Sequence, residues 1–393
     1  MYNLREIKVR NSREAKYIIQ RVGTDAAGIN LMAPKAVHRL LFLEDVPVKI
    51  ALILKQEMLA VGGDAAVARG VVSHEVEESN VLLMGTLKQY KNLVKKLHMQ
   101  PFKLPKLAED INTVLNNCEY KEPYEIPCGN YSLSFGERTL VMGILNVTPD
   151  SFSDGGKFND PDIAIKRAKE MVEQGADIID IGAESTRPGH TPVSAEEEIE
   201  RLQPIIRELV KEINVPISVD TYKAKTAEMA LKEGAHIIND VWGFQKDPEI
   251  AAVVSQYGAP AILMHNQEGT EYKDLMGDII KFLRKSINIA VKAGLPEDKI
   301  IIDPGIGFGK DTEQNLEVMA RLDEFCCLGR PILLGTSRKS LIGNTLNLPV
   351  NERLEGTAAT VTLGIAKGVD IVRVHDVEEI VRVVRMTDAM VRR

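Results

Sequence analysis

The sequence predicts an α/β protein, a (β/α)8 TIM barrel preceded by a smaller α+β domain. Three observations carry this expectation. From about residue 138 onward, short apolar runs rich in β-branched residues alternate with longer amphipathic stretches, the pattern of parallel βαβ units. Eight such runs can be counted, the number a closed barrel needs. No G-x-G-x-x-G follows the first run, whereas an open doubly wound sheet commonly carries that turn and only five or six strands.

In chain order, residues 1 to about 117 read as a separate domain of mixed helices and strands, with an apolar run at 47 to 54 and an amphipathic helix over TLKQYKNLVKKLHMQ (86 to 100). Its GGDAAVARG (62 to 70) has the glycines of a phosphate loop but no following GK[ST], and Asp64 stands beside them, so a helix-start turn is the expectation. The barrel domain is placed at 120–393. It opens with YEIPCGNYSLSFGERT (124 to 139), two alternating runs around Gly129-Asn130, which predict a hairpin closing the barrel floor. The eight strand candidates are 139 to 147, 176 to 183, 215 to 221, 235 to 241, 260 to 266, 299 to 305, 331 to 337 and 370 to 377. Between the first two, helix periodicity puts Ile163, Ala164, Ala168, Met171 and Val172 on one face, with Gly175 as the stop.

Composition narrows the function. A formal net charge of -7 argues against nucleic acid as the main partner, so an anionic substrate has to meet a local cluster of cations. The four cysteines, Cys118, Cys128, Cys326 and Cys327, lack the spaced pairs of a zinc site and read as structural. The first residues carry early charges without an apolar core, and no window approaches 18 uncharged apolar residues, so a cytoplasmic protein without a membrane partner is expected.

In barrels of this kind the site lies at the C-terminal ends of the strands. Those ends are polar here: Asn146, Glu184 to Arg187, Asp220, Asn239 and Asp240, His265 and Asn266, Asp303, Ser337 to Lys339, then Arg373, His375 and Asp376. A purely structural barrel has little use for so many polar groups at one end, since each costs free energy unless paired. Alternate strand residues share a side, so Arg373 projects with His375 and Asn239 with Val241. Two carboxylates (Asp220, Asp303), an amide (Asn239) and an ammonium (Lys339) suit a flat heterocycle with donors and acceptors on its edge, a pterin being one. Arg187, Arg373, His375 and the amide oxygen of Asn146 suit a diphosphate with Mg²⁺. For His375 alone the bland alternative is a satisfied strand-end histidine.

Two loops rich in glycine and proline, 146 to 158 and 184 to 197, exceed the usual barrel connection and read as mobile lids over substrate. In DPGIGFGK (303 to 310), Asp303 would repel a phosphate, and presenting Phe308 to a ligand on a flexible backbone is the better account.

At these residues the match to a known family becomes specific. NVTPDSFSDGG (146 to 156), ESTRPG (184 to 189), SVDTYK (218 to 223), IINDV (237 to 241), DPGIGFGK (303 to 310), TSRKS (336 to 340) and VRVHDV (372 to 377) resemble, in order, the motifs of the dihydropteroate synthase family. The resemblance covers about 120 to 393. It implies Mg²⁺ and the condensation of p-aminobenzoate with 6-hydroxymethyl-7,8-dihydropterin diphosphate to dihydropteroate and pyrophosphate, a step of folate biosynthesis. Position by position, it puts Asn146 on the metal. Asp220, Asn239, Val241, Met264, Asp303 and Lys339 fall around the pterin, Thr186 and Arg187 in the second loop, and Arg373 and His375 at the diphosphate. Phe152, Pro188, Phe308 and Ser340 fall at the p-aminobenzoate pocket, where sulfonamides would compete. Lys339, Arg373, His375 and Arg187 are the expected catalytic residues. The substrates are small molecules, and a homodimer is expected. Residues 1 to 117 lie outside the match.

Two other readings stand against this one. A methyltetrahydrofolate corrinoid methyltransferase uses a similar barrel but needs no diphosphate site, which Arg187 and the Arg373/His375 pair supply here. A noncatalytic pterin-binding protein would have lost Asn146, Lys339 or the loops, and all are present.

Overall fold

The computed structural model describes residues 2–147, 161–184 and 193–392. The chain divides into two compact units, Met1–Lys121 and Glu122–Arg393.

The first unit is built on an antiparallel sheet of β1 (His38–Pro47), β2 (Asp64–Val67) and β3 (Glu78–Thr86), ordered β1-β3-β2. Helices Val48–Ala60, Leu87–Leu97 and Leu104–Asn117 contribute Leu54 and Met58, Tyr90 and Leu93, and Ala108 and Ile111 to one core with Val81 and Leu83 of β3. The apolar run near 47 to 54 is therefore helical, and Thr86 starts the next helix with a capping box to Gln89. The helix-start reading of GGDAAVARG is corrected: the glycines turn the chain into β2, whose backbone pairs with β3 from Asp64↔Met84 to Val67↔Val81. The Gly62 and Gly63 amides donate to the Leu59 and Met58 carbonyls and the Ala65 amide to Asp64 Oδ1, so they form no phosphate cradle either.

The second unit opens with the hairpin β4 (Tyr124–Cys128) and β5 (Tyr131–Phe135). Eight parallel strands follow: β6 (Leu140–Asn146), β7 (Ile178–Gly182), β8 (Ile217–Asp220), β9 (Ile237–Asp240), β10 (Ala261–Met264), β11 (Ile300–Asp303), β12 (Leu333–Leu334) and β13 (Ile371–Val374). Their order, β11-β10-β9-β8-β7-β6-β13-β12, is closed by a parallel bridge between Ile302 and Ile332, so the sheet is a barrel. Each of the eight expected runs contains one of these strands.

Two-residue periodicity sorts the strand side chains. Ile179 and Ile181, Ile238, Leu263, Ile300 and Ile302, Leu334, Val372 and Val374 face outward into the layer shared with the helices. The alternate set, Met142, Ile178, Ile237, Ile262, Ile301, Leu333 and Ile371, meets Ile126, Leu133 and Phe135 of the hairpin in a separate apolar cluster. The hairpin thus closes the barrel floor, as expected. On the outside, helix Pro161–Glu173 buries Ala164, Ala168 and Met171, spaced four and three apart, and Gly175 ends it at φ +105°. Ile163 is a correction to the expected face, being 49% exposed, because one residue back from Ala164 turns it about 100° away. Among the described residues, no helix is long and apolar enough to cross a membrane.

Candidate active site

Two residues further along most strands from the apolar floor, the inward positions change character. They are Asp180 on β7, Asn239 on β9, Met264 on β10, Asp303 on β11, Gly335 after β12 and Arg373 on β13, with Ser218 and Asp220 on β8. One cavity is lined by Asp220, Asn239, Val241, Met264, Asp303, Phe308, Lys339 and Arg373, together with Ile306 and Gly335. The structure therefore gathers eight of the residues singled out from sequence.

Hydrogen bonds organise the cavity. Arg373 donates through Nε to Asp180 Oδ2 at 2.6 Å and through a terminal nitrogen to Asp220 Oδ2 at 3.0 Å. Asp180, fully buried, also accepts from Ser218 Oγ at 2.5 Å and from Asn239 Nδ2 at 3.3 Å. Asp303 Oδ1 accepts the Gly305 N–H at 2.7 Å. Lys339 enters from the turn after β12 and sets its ammonium 4.0 Å from the centre of the Phe308 ring, a cation–π contact. Gly307, at φ +82°, makes room for it, since a Cβ there would lie 3.1 Å from Lys339 Cδ.

Burial dominates the electrostatics. Asp220 is pushed up to about 7, foremost by desolvation and further by Asp180, with Arg373 pulling the other way. Asp303 is raised to about 6 by burial, against the Gly305 hydrogen bond and the charges of Lys339 and Arg373. Burial also pushes His375 down to about 3, helped by Arg373 and Arg338. Its Nδ1 lies 3.0 Å from Ser337 Oγ. Burial thus favours a neutral imidazole in the ligand-free site, a hydrogen-bonding group beside the Arg373 charge.

Other expected residues fall outside the cavity lining. Asn146 ends β6 with an exposed side chain, and Ser340 is exposed at the start of helix Ser340–Leu346. Phe152, Thr186, Arg187 and Pro188, and with them most of both expected lid loops, lie outside the described residues. Asp240 has outward parity and caps the next turn, accepting the N–H groups of Trp242 at 2.7 Å and Phe244 at 2.8 Å. Sequence reasoning missed Asp180, Ser218 and Lys310. Asp180 had a signal: a carboxylate inside the apolar run ADIIDIGA, in phase with Ile178 of the floor.

Among the described residues, no three His, Cys, Asp or Glu side chains cluster to hold a metal ion. Mg²⁺ does not require such a cage, because it keeps waters and takes substrate phosphates beside one or two protein oxygens. An exposed amide oxygen at the barrel mouth, Asn146, fits an ion that arrives with a diphosphate.

Residues 142–375 match the profile of the pterin binding enzymes. The chain belongs to this family. The dihydropteroate synthase of Clostridium beijerinckii is 59% identical over 266 residues, which cover 67% of this chain and 99% of that protein. The crystal structure of the Clostridium difficile dihydropteroate synthase, determined in the presence of pteroic acid, matches at 58% identity and a TM-score of 0.65, covering 66% of this chain and 99% of that one. A probable bifunctional folylpolyglutamate synthase/dihydropteroate synthase of Halobacterium salinarum is 40% identical over 391 residues, covering 98% of this chain and 47% of its own length. At this identity across the whole barrel the activity is that of dihydropteroate synthesis, the transfer of a pterin to p-aminobenzoate in the folate pathway.

Proposed function

We propose that the cavity at the second interior layer of the barrel binds the dihydropterin and that the reaction runs there without a covalent protein nucleophile. The observation that carries this is the lining itself: a polar rim of Asp220, Asn239, Asp303, Lys339 and Arg373 around apolar walls of Met264, Val241, Ile306 and Phe308. A dihydropterin has that character, with flat apolar faces and an edge of N–H donors and ring acceptors. Asp220 and Asp303 accept from the edge, and Lys339 donates to it. Asn239, its amide N–H committed to Asp180, turns its oxygen to the ligand.

The bond from the pterin methylene carbon to the diphosphate oxygen breaks with dissociative character, and the electron pair leaves with pyrophosphate. The positive charge that develops is shared by the dihydropterin ring, opposite Asp220 and Asp303. The p-aminobenzoate nitrogen then forms the new C–N bond and releases a proton to solvent. Arg373 and Arg187 compensate the leaving group by charge, and His375 by a hydrogen bond. A Mg²⁺ ion held by Asn146 and the diphosphate would supply further charge compensation there. Phe308 and Ser340, with Phe152, Thr186 and Pro188 of the loops, are the residues we assign to the p-aminobenzoate side, where sulfonamides would compete.

We also propose a homodimer. Leu363, Met386 and Met390, exposed on helices Leu354–Ala366 and Val377–Val391, offer apolar surface for a second copy to cover.

Lys339→Ala tests the site. Loss of one preorganised electrostatic contact is expected to lower turnover on the order of 10²-fold and to weaken pterin binding. Titration of 6-hydroxymethylpterin and steady-state kinetics check both, and wild-type values in the variant would refute the assignment.

A further inference from the structure

Lys310 ends the DPGIGFGK run, is 9% exposed, and has no part in the chemistry above. Its Nζ lies 2.9 Å from His265 Nδ1, 3.0 Å from the carbonyl oxygens of both Pro304 and Gly305, and 3.1 Å from that of Phe308. Those are four acceptors around one nitrogen. An ammonium brings three N–H donors to them, whereas a neutral amine brings two and turns a lone pair toward a carbonyl. The site is built for the charged form.

The carbonyls belong to the turn that joins β11 to the next helix. Gly305, Gly307 and Gly309 sit there at φ +69°, +82° and +55°, so the turn has little conformational preference of its own. Gly305 cannot be replaced, because a Cβ would lie 1.9 Å from the His265 carbonyl oxygen. The Tyr272 hydroxyl fixes the far end by donating to the Gly309 carbonyl at 2.7 Å. Two groups of the cavity depend on this turn: Asp303, bonded to the Gly305 N–H, and Phe308, whose ring lies against the Lys339 ammonium.

We propose that Lys310 is a positioning residue, whose buried ammonium gathers the glycine turn so that Asp303 and Phe308, and through Phe308 the Lys339 side chain, face the pterin. The proposal rests on the reading of this cavity as the pterin site. The charged and titratable groups that face Lys310 are His265 after β10, Asp303 at the end of β11, Lys339 after β12, and Tyr272 beyond His265. His265 is brought down to about 2, foremost by burial and then by the Lys310 charge, so its Nδ1 is an acceptor and Nε2 holds the proton. Burial also lowers Lys310 itself to about 7, opposed by Asp303 and reinforced by Lys339.

The test is Lys310→Met, close in length but uncharged. Its affinity for 6-hydroxymethylpterin is expected to fall on the order of 10²-fold, the scale of a misplaced binding group. The KM for the pterin diphosphate should rise with it, while kcat at saturation falls far less and the circular dichroism spectrum stays that of wild type. Wild-type affinity in a folded Lys310→Met protein overturns the positioning role. Failure of the wild-type protein itself to bind 6-hydroxymethylpterin overturns the reading of the cavity on which that role rests. If Lys310→Met does not fold, hydrogen exchange in the wild-type protein decides. The Lys310 ammonium hydrogens and the amides of 304–309 should be protected from exchange at pH 6, and rapid exchange of both overturns the proposal.

Discussion

Arg373 brings a guanidinium into the barrel interior between Asp180 and Asp220, and this trio shows how far single residues can be read from sequence. Asp220, Asn239 and Asp303 were legible as polar residues where an apolar run ends, and Lys339 and Arg373 from TSRKS and VRVHDV. Asp180 was not, since it lies inside its run and becomes visible only when inward parity is counted from the floor. Lys310 stayed hidden for another reason: a lysine after a glycine loop reads as solvated, and its four acceptors come together only in three dimensions. Asp303 gives a prediction at this scale. Its folded value of about 6 stands above the ordinary 3.8 of an aspartate, so the folded state holds the extra proton between those values. That contribution to stability is complete below about 3.8 and is lost as pH rises through about 6, and the gap corresponds to on the order of 3 kcal/mol. Asp303→Asn, which carries no charge at any pH, should therefore gain stability relative to wild type on going from pH 4 to pH 7.5. Urea unfolding at the two pH values measures this, and an offset that does not change with pH would contradict the burial of a charge.

At the scale of elements, hydrophobic period and turn residues were enough to place eight strands and the floor hairpin, because each strand carries its own layer code. Outward positions meet helices, the lower inward positions meet the hairpin, and most of the upper inward positions are polar. Boundaries and faces were less legible. Ile163 was assigned to a buried face by its apolarity, yet the four-and-three spacing of Ala164, Ala168 and Met171 decides which face packs. In the first unit the glycines before Asp64 were read by local turn chemistry, while pairing with β3, a long-range partner, made the segment a strand. The floor can be tested without touching the chemistry. Leu133, 2% exposed in the hairpin, packs in the apolar cluster one layer below Asp180 and Asn239. Leu133→Ala should cost about 2–5 kcal/mol of unfolding free energy and leave kcat/KM within a few-fold of wild type. A loss below about 1 kcal/mol in denaturant titration would show that the hairpin is not part of the barrel core.

For the whole molecule, the match to the pterin binding enzymes falls within the second unit. The barrel alone accounts for nearly all of the Clostridium beijerinckii relative, whereas the Halobacterium salinarum protein matches this chain through the first unit as well. The described core of that first unit is an antiparallel sheet packed on helices without a comparable polar layer. The reaction we propose for the polar layer of the barrel joins a pterin to p-aminobenzoate with loss of pyrophosphate. The direct measurement is pyrophosphate release by the full chain with 6-hydroxymethyl-7,8-dihydropterin diphosphate and Mg²⁺, with and without p-aminobenzoate. Release stimulated by p-aminobenzoate, with dihydropteroate formed in equal amount, is the result expected. Tight pterin binding with neither release nor dihydropteroate would contradict the account and leave a pterin-binding barrel without this reaction.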